Sequence, residues 1–161
     1  MTKILFVCLG NICRSPLAEA IFKHRIEQIG KSDLFMSDSC GTSNYHIGSQ
    51  PDSRTIANAR SNGVRINHKA RQFSIQDFDS FDLILVMDKS NLRNIQSISN
   101  KPEHLKKVGL LRSYDENKKA MEVPDPYYGN ESDFQEVFNI LNFSIKNLIR
   151  KQFNLSPRAA E

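Results

Sequence analysis

The feature that most constrains the fold is a short apolar strand that leads through a loop into the start of a helix. Residues 3–7 include the run Ile-Leu-Phe-Val, which is rich in strand formers and too short to cross a membrane. Further along, Ser15 is of a residue type that caps helices, and Pro16 suits the first helical position, where its missing N–H costs nothing. The pattern therefore predicts a strand–loop–helix unit at the start of the chain.

The loop in this unit contains residue types that suit a bound tetrahedral oxyanion. A turn between a strand and a helix points successive backbone N–H groups inward, and the helix N-terminus adds a partial positive charge. Gly10 and Asn11 tolerate the left-handed conformations that such a turn requires. Arg14 offers a planar guanidinium that can bind two phosphate oxygens at once. We therefore predict a phosphate-binding loop.

Cys8 ends the predicted strand and is expected to lie beneath the bound anion. A positive field favours the thiolate over the thiol at neutral pH. A thiolate below a phosphate is placed for in-line attack on phosphorus. The alternative is an inert core thiol beside an ordinary surface arginine. We favour the nucleophile because the alternative leaves the combination of residue types from Cys8 to Pro16 unexplained.

Transfer of phosphorus from an aryl ester also needs a proton for the leaving oxygen. Asp125 lies in the segment 123–129, Val-Pro-Asp-Pro-Tyr-Tyr-Gly, where two prolines stiffen the backbone. Partial desolvation beside aromatic surface would favour the protonated carboxyl, and Tyr127 and Tyr128 could form a slot for an aromatic group. A plain turn before the last helix is the alternative reading of this segment. Asp88 is a rival acid, although we expect it to be a helix N-cap or a loop brace.

The rest of the chain predicts alternating helices and strands. Further strands are predicted at residues 34–42, 68–73, 81–87 and 108–111. Helices are predicted at residues 16–29, 51–62, 91–98 and 134–153, the last with a capping box formed by Ser132 and Gln135. This alternation predicts an α/β fold with a parallel sheet, in which ligands bind at the carboxyl ends of strands.

Composition places the chain among ordinary globular proteins. Its 161 residues, 39% hydrophobic and 25% charged, predict one domain over residues 1–155 and a flexible tail over 156–161. We find neither an apolar span nor a signal peptide, so we expect a cytoplasmic protein with reduced cysteines and no membrane partner. The net charge of +4 is spread along the chain without a basic stripe, which argues against a nucleic-acid partner.

Together these segments resemble the low-molecular-weight protein tyrosine phosphatases. The resemblance covers about residues 3 to 150 and is most specific in the two segments that carry the predicted chemistry, 7–16 and 125–129. A bare Cys-x5-Arg would be weak evidence, because other phosphatases and rhodanese-like proteins share it. Shorter matches occur at residues 18–20, 45–48, 70–72 and 87–92.

The resemblance implies a mechanism and a fold. Cys8 would be the nucleophile, Arg14 the phosphate clamp and Asp125 the general acid and later the general base. The substrates would be phosphotyrosine-containing proteins or aryl phosphates, with inorganic phosphate as the product and no metal or cofactor. The fold would be a three-layer one with a four-stranded parallel sheet flanked by helices. A monomer or a weakly self-associating dimer is expected.

The resemblance also assigns supporting residues. The phosphate-binding loop would comprise Leu9, Gly10, Asn11, Ile12, Cys13 and Ser15. A hydrogen-bond network around the loop would include Asn11, Ser15, Ser39 and His68. The substrate ring would be flanked by Leu9, Ile12, Tyr45 and Tyr128. Cys13 would form a reversible disulfide with Cys8 under oxidising conditions, whereas Cys40 is read as a core residue.

Four alternative functions are less well supported. An arsenate reductase on the same fold needs resolving cysteines downstream, and none follows Cys40. Phosphoarginine phosphatases carry threonine at the position of Ile12. A carrier domain with a phosphocysteine would need neither Arg14 nor Asp125. A non-catalytic phosphotyrosine-binding module would need neither Cys8 nor Asp125.

Overall fold

The computed structural model describes residues 1–116 and 121–155. The strands are β1 (Thr2–Cys8), β2 (Phe35–Gly41), β3 (Leu83–Val86) and β4 (Val108–Leu110). The helices are α1 (Arg14–Gln28), α2 (Ser53–Ser61), α3 (Asp77–Ser80), α4 (Lys89–Gln96), α5 (Pro102–Leu105) and α6 (Glu131–Phe153). Single 3-10 turns cover Ser32–Leu34 and Leu111–Tyr114.

The strands form one four-stranded parallel sheet in the order β2-β1-β3-β4. The predicted α/β class is confirmed.

β1 is one of the two inner strands of the sheet and is buried on both faces. Ile4 and Phe6 belong to the core cluster on one face, while Leu5 and Val7 belong to the cluster on the other. Val7 is paired with a residue of β2 on one side and of β3 on the other. Burial on both faces explains the unbroken apolar run of this strand. Its last residue therefore lies in the middle of the carboxyl edge of the sheet.

α1 and α6 cover one face of the sheet. The apolar stripe of α6 is buried in the core along most of its length, as the periodicity predicts. Phe35 of β2 joins the two helices, because its ring contacts Phe22 of α1 edge-on at 5.6 Å and Phe153 of α6 at 4.8 Å between ring centres. These contacts fix α1, and with it the end of the phosphate loop, against the sheet.

The prediction of a strand over residues 68–73 is wrong. Within this segment only Gln72 forms an isolated bridge, to Gly41 at the end of β2. The apolar residues of the segment instead contact the core from an irregular connection that runs beside the sheet edge. Sequence reasoning also missed α3 and α5, because a helix of a single turn shows no periodic pattern.

The capping box predicted for the last helix is wrong in its residues. Asn130 is the N-cap of α6: its side-chain oxygen accepts from the backbone N–H groups of Ser132 and Asp133, and the Asp133 carboxylate accepts from the Asn130 N–H at 2.8 Å. The box is therefore shifted by two residues from the predicted pair, Ser132 and Gln135. Asn and Asp fill the same roles as Ser and Gln in the usual box, so the sequence pattern alone does not distinguish the two pairs.

Among the described residues, no helix is long and apolar enough to cross a membrane. The predicted tail over 156–161 lies outside the described residues. Residues 117–120, within the charged connection before α6, lie outside them as well.

The corrected N-cap can be tested by mutation. Asn130→Ala removes the acceptor for two backbone N–H groups and is expected to lower the free energy of unfolding by about 1 kcal/mol. Ser132→Ala is the matched control and is expected to cost less than about half of that. Urea denaturation of both variants measures the difference. A larger loss in Ser132→Ala than in Asn130→Ala would contradict the assignment of the cap.

Candidate active site

The phosphate loop connects β1 to α1 and contains one residue in the left-handed conformation. Asn11 has φ of 57°, which is the conformation predicted for it. Gly10 is not among the residues with positive φ, so the same prediction for Gly10 is wrong. Gly10 is instead constrained by space, because a β-carbon there would lie 3.0 Å from Cδ2 of His46.

Gly41, at the end of β2, supports the loop from below and was missed by sequence reasoning. A β-carbon on Gly41 would lie 2.6 Å from the carbonyl oxygen of Leu9 and 3.2 Å from the backbone nitrogen of Asn11. The next residue, Thr42, donates its N–H to the carbonyl of Cys8 at 2.9 Å. The loop backbone therefore rests directly on the end of β2, and only glycine leaves room for this contact.

Cys8 is buried at the base of the loop. Its Sγ accepts a hydrogen bond from the Asn11 N–H at 3.3 Å and lies 3.0 Å from Oγ of Ser15. Ser15 does not cap α1 as predicted, since the helix begins at Arg14 with Cys13 at the N-cap position and no side-chain cap. The Ser15 hydroxyl faces the Cys8 sulfur instead.

The side chain of Asn11 uses all of its hydrogen-bonding capacity. Its amide group donates to Ser15 Oγ at 2.8 Å and to Ser39 Oγ at 3.1 Å. Its carbonyl oxygen contacts His68 Nε2 at 2.7 Å and accepts from the Arg71 N–H at 3.0 Å. An amide has two donors and two acceptor lone pairs, so the group is saturated. These bonds offset the strain of the left-handed backbone.

A layer of buried charge lies behind this amide, and sequence reasoning missed it. Glu19 of α1 is 3% exposed, accepts from Ser39 Oγ at 2.8 Å and lies 3.2 Å from His68 Nδ1. Its other oxygen forms an ion pair with Lys23. The signal for Glu19 in the sequence was an acidic residue between two alanines in the otherwise apolar segment 16–22. His68 also lies 3.6 Å from Asp38, so its ring nitrogens face acceptor oxygens on both sides.

Glu19, Asp38 and His68 are also the group of described residues that could hold a metal ion, since their ligand atoms lie within 4.8 Å of one another. The Glu19 oxygens already accept from Ser39 and Lys23. A metal would have to displace these contacts. We therefore interpret these three residues as support for the phosphate loop rather than as a metal site.

Arg14 is buried at 3% exposure and connects three parts of the site. Its Nη1 donates to Asp88 at 2.7 Å and to the carbonyl of Val123 at 3.0 Å, and its Nη2 lies 3.7 Å from Asp125. Burial by itself lowers the pKa of Arg14, but the charge of Cys8 and the contacts with the two carboxylates raise the pKa above its ordinary value. Asp88 is also the N-cap of α4. It therefore caps a helix and contacts Arg14 of the loop, in agreement with the N-cap or supporting role expected for it.

Asp125 reaches the site from the connection before α6. Its Oδ1 accepts from the N–H of Tyr127 at 3.1 Å, and its side chain is 46% exposed. The carboxyl is therefore partly shielded from water, which is compatible with the partial desolvation expected for it. Its position is set by Arg14 and by the turn that Tyr127 closes.

These groups meet in one cleft of about 320 Å³. Its floor is formed by the loop from Cys8 to Arg14 and its rim by aromatic side chains. The lining residues are Cys8, Leu9, Gly10, Ile12, Cys13, Arg14, Tyr45, His46, Asp125, Tyr127 and Tyr128. Every predicted ring-flanking residue is among them, and His46 is a lining residue that sequence reasoning did not single out.

The other two cysteines differ from Cys8 in their surroundings. Burial raises the pKa of the Cys13 thiol to about 12, with further increases from the negative charges of Asp52 and Cys8. Burial raises the pKa of Cys40 well above its ordinary value too, and Cys40 belongs to the core as predicted. Cys13 lines the cleft and Cys40 does not.

The cleft thus contains a cysteine sulfur beneath a loop at a helix N-terminus, a buried guanidinium and a carboxyl at the rim. This arrangement is the one expected of an enzyme that transfers a phosphoryl group through cysteine. The groups predicted to be the nucleophile, the anion clamp and the acid all lie around this cleft.

Comparison with known proteins identifies the family. The sequence profile described as "Low molecular weight phosphotyrosine protein phosphatase" matches residues 3–156, and the chain belongs to this family. The low molecular weight phosphotyrosine protein phosphatase of Saccharomyces cerevisiae is 42% identical over 92% of this chain and 94% of its own length.

Solved structures of phosphatases share the fold of this chain. A protein tyrosine phosphatase from Entamoeba histolytica superposes with a TM-score of 0.91 at 38% identity, covering 96% of this chain and 98% of that one. DARP, described as a Drosophila arginine phosphatase, superposes with a TM-score of 0.88 at 32% identity, covering 99% and 100% of the two chains.

The contact beneath the loop predicts an effect of mutation at Gly41. Gly41→Ala places a methyl group against the Leu9 carbonyl, so the loop must move and turnover of an aryl phosphate is expected to fall at least about 100-fold. Gly109→Ala in β4 is the matched control, since nothing lies within 4 Å of the added carbon. Steady-state kinetics on both variants measure the difference. Equal activity in the two would contradict a loop that rests on β2.

Proposed function

We propose that the protein hydrolyses phosphotyrosine and small aryl phosphates through a cysteinyl-phosphate intermediate. The observation that carries the proposal is the meeting of Cys8, Arg14 and Asp125 at one cleft with an aromatic rim. Family membership supports the same conclusion. The walls of the cleft suit a flat ring, and its floor suits a tetrahedral anion.

In the first step the Cys8 thiolate attacks phosphorus while the bond from phosphorus to the aryl oxygen breaks. Arg14 and the loop N–H groups bind the equatorial oxygens, where negative charge accumulates. Asp125 donates its proton to the departing aryl oxide.

In the second step a water molecule attacks the phosphocysteine. Asp125, now a carboxylate, takes a proton from the water, the sulfur–phosphorus bond breaks and inorganic phosphate leaves. The Ser15 hydroxyl, 3.0 Å from the sulfur, can donate a hydrogen bond to the thiolate as it is released. Asn11 maintains the loop geometry through its bonds to Ser39 and His68.

The choice of an aryl substrate is supported by the rim. Tyr45 and Tyr128 are largely exposed, at 72% and 97%, and their rings are free to contact a substrate ring at the mouth of the cleft. Phosphoarginine is the alternative, since one structural neighbour is described as an arginine phosphatase. Ile12 favours the aryl ester, because the phosphoarginine phosphatases that resemble this chain have threonine at this position.

Measuring the turnover of phosphotyrosine, phosphoserine and phosphoarginine side by side distinguishes these possible substrates. The cytoplasmic location and the monomeric or weakly dimeric state stay predictions.

The catalytic roles can be tested with p-nitrophenyl phosphate in metal-free buffer. Cys8→Ser is expected to abolish turnover because an alcohol is a poor nucleophile at neutral pH. Asp125→Ala is expected to slow turnover by about 10²–10⁴-fold, the usual size of a general-acid effect. Asp33→Ala, an exposed aspartate of the turn before β2, is the control and is expected to be fully active. Full activity in Cys8→Ser would overturn the proposed chemistry.

We also propose that Cys13 protects the nucleophile from irreversible oxidation. Peroxide converts the Cys8 thiolate to a sulfenic acid with loss of hydroxide, and the Cys13 sulfur then attacks it, releasing water and forming a disulfide. Both cysteines line the same cleft. Burial keeps Cys13 protonated at neutral pH, so it does not compete with Cys8 for substrate.

This protection predicts a difference in recovery after oxidation. Wild-type protein inactivated by hydrogen peroxide is expected to regain most of its activity with dithiothreitol, whereas Cys13→Ser is expected to regain less than about a tenth, because its sulfenic acid oxidises further. Cys40→Ser is the control and should recover like the wild type. Mass spectrometry identifies the disulfide. Full recovery of Cys13→Ser would exclude this role.

A further inference from the structure

Arg54 lies at the start of α2, beside the rim of the active site. Its backbone N–H donates to the Asp52 carboxylate at 2.9 Å, and its guanidinium donates to the same carboxylate through Nε at 3.0 Å and Nη2 at 2.8 Å. Asp52 in turn donates its own N–H to the carbonyl of Ile12 in the phosphate loop at 2.8 Å. The direction of the guanidinium is therefore set by a residue attached to the phosphate loop.

The same guanidinium contacts the segment that carries the acid. Its central carbon lies 5.5 Å from the ring centre of Tyr127 and 4.6 Å from that of Phe134 in α6. Both distances lie within the range of cation–π attraction. The Tyr127 N–H donates to Asp125 at 3.1 Å. A group that holds the Tyr127 ring therefore also constrains the Asp125 carboxyl.

Helix stability does not account for this arginine. The N-terminus of a helix is its positive end, so a cation in the first turn of α2 is unfavourable for the helix itself. The Arg54 side chain is 44% exposed, and an exposed ion pair contributes little to folding. Its contacts instead join three elements that meet around the cleft: the start of α2, the loop of Asp125 and the start of α6.

We propose that Arg54 is a positioning residue for the general acid. Its guanidinium, aimed by Asp52, holds the Tyr127 ring and keeps the Asp125 carboxyl within reach of a substrate above Cys8. The inference rests on the proposed function and assigns Arg54 no contact with the reacting atoms. Its effect is greatest where proton donation matters most, in the expulsion of a basic leaving group.

The test compares substrates whose leaving groups differ in basicity. In Arg54→Ala, kcat/KM for phenyl phosphate is expected to fall about 3- to 10-fold, while kcat/KM for p-nitrophenyl phosphate changes by less than about 2-fold. Arg54→Lys keeps the charge but loses the planar fork and is expected to recover only part of the loss. Arg60→Ala, an exposed arginine of the same helix, is the matched control and should equal the wild type on both substrates.

A double-mutant cycle separates positioning from a general structural effect. If Arg54 acts through Asp125, adding Arg54→Ala to Asp125→Ala costs no further activity on phenyl phosphate. Independent, multiplying losses would overturn the inference, as would an equal loss on both substrates in the single variant. Thermal unfolding shows that the variants compared are folded.

Failure of this inference is distinguishable from failure of the proposed function. If the wild type shows no hydrolysis that depends on Cys8, the proposed function fails. If the wild type is active and Asp125→Ala is slow, but Arg54→Ala behaves like Arg60→Ala, the role of Arg54 alone is excluded.

Discussion

The active site depends on one asparagine side chain that is fully hydrogen-bonded. Asn11 turns the backbone of the phosphate loop into a left-handed conformation, and its amide makes four contacts with groups from α1, β2 and the connection before α3. Without these contacts the loop would have to become ordered when a ligand binds, at a cost in conformational entropy. The loop backbone above Cys8 is instead held in place by the hydrogen bonds of the Asn11 side chain.

Buried ionisable groups form two separate layers around the loop. Glu19 and His68 lie behind Asn11 and support it, and the exposed Lys23 forms an ion pair with Glu19. Arg14 lies on the other side and is oriented by Asp88, so that its second nitrogen remains directed toward the rim. Because each charge is paired or hydrogen-bonded, the desolvation of so many ionic groups is offset locally. One layer fixes the loop, and the other directs the Arg14 guanidinium toward the cleft.

Sequence reasoning succeeded where residues act through near neighbours. The loop from Cys8 to Arg14, the parallel sheet and the long last helix are each specified by a pattern along the chain. It failed at element boundaries, where Asn130 rather than Ser132 caps α6, and at the irregular segment 68–73. Several residue types can fill a cap, and apolar residues in an irregular connection resemble a strand. Local patterns therefore do not decide between these possibilities.

The order of residues by itself specified the loop from Cys8 to Arg14 and the α/β class, because a strand followed directly by a helix brings the atoms of this loop together within one short segment. Tertiary structure decided which distant residues complete the site. Gly41 and Glu19 act through contacts that depend on the packing of β2 and α1, and Asp125 reaches Arg14 from a distant part of the chain. Such contacts follow from the pairing of strands and the packing of helices, which no periodicity in the sequence records.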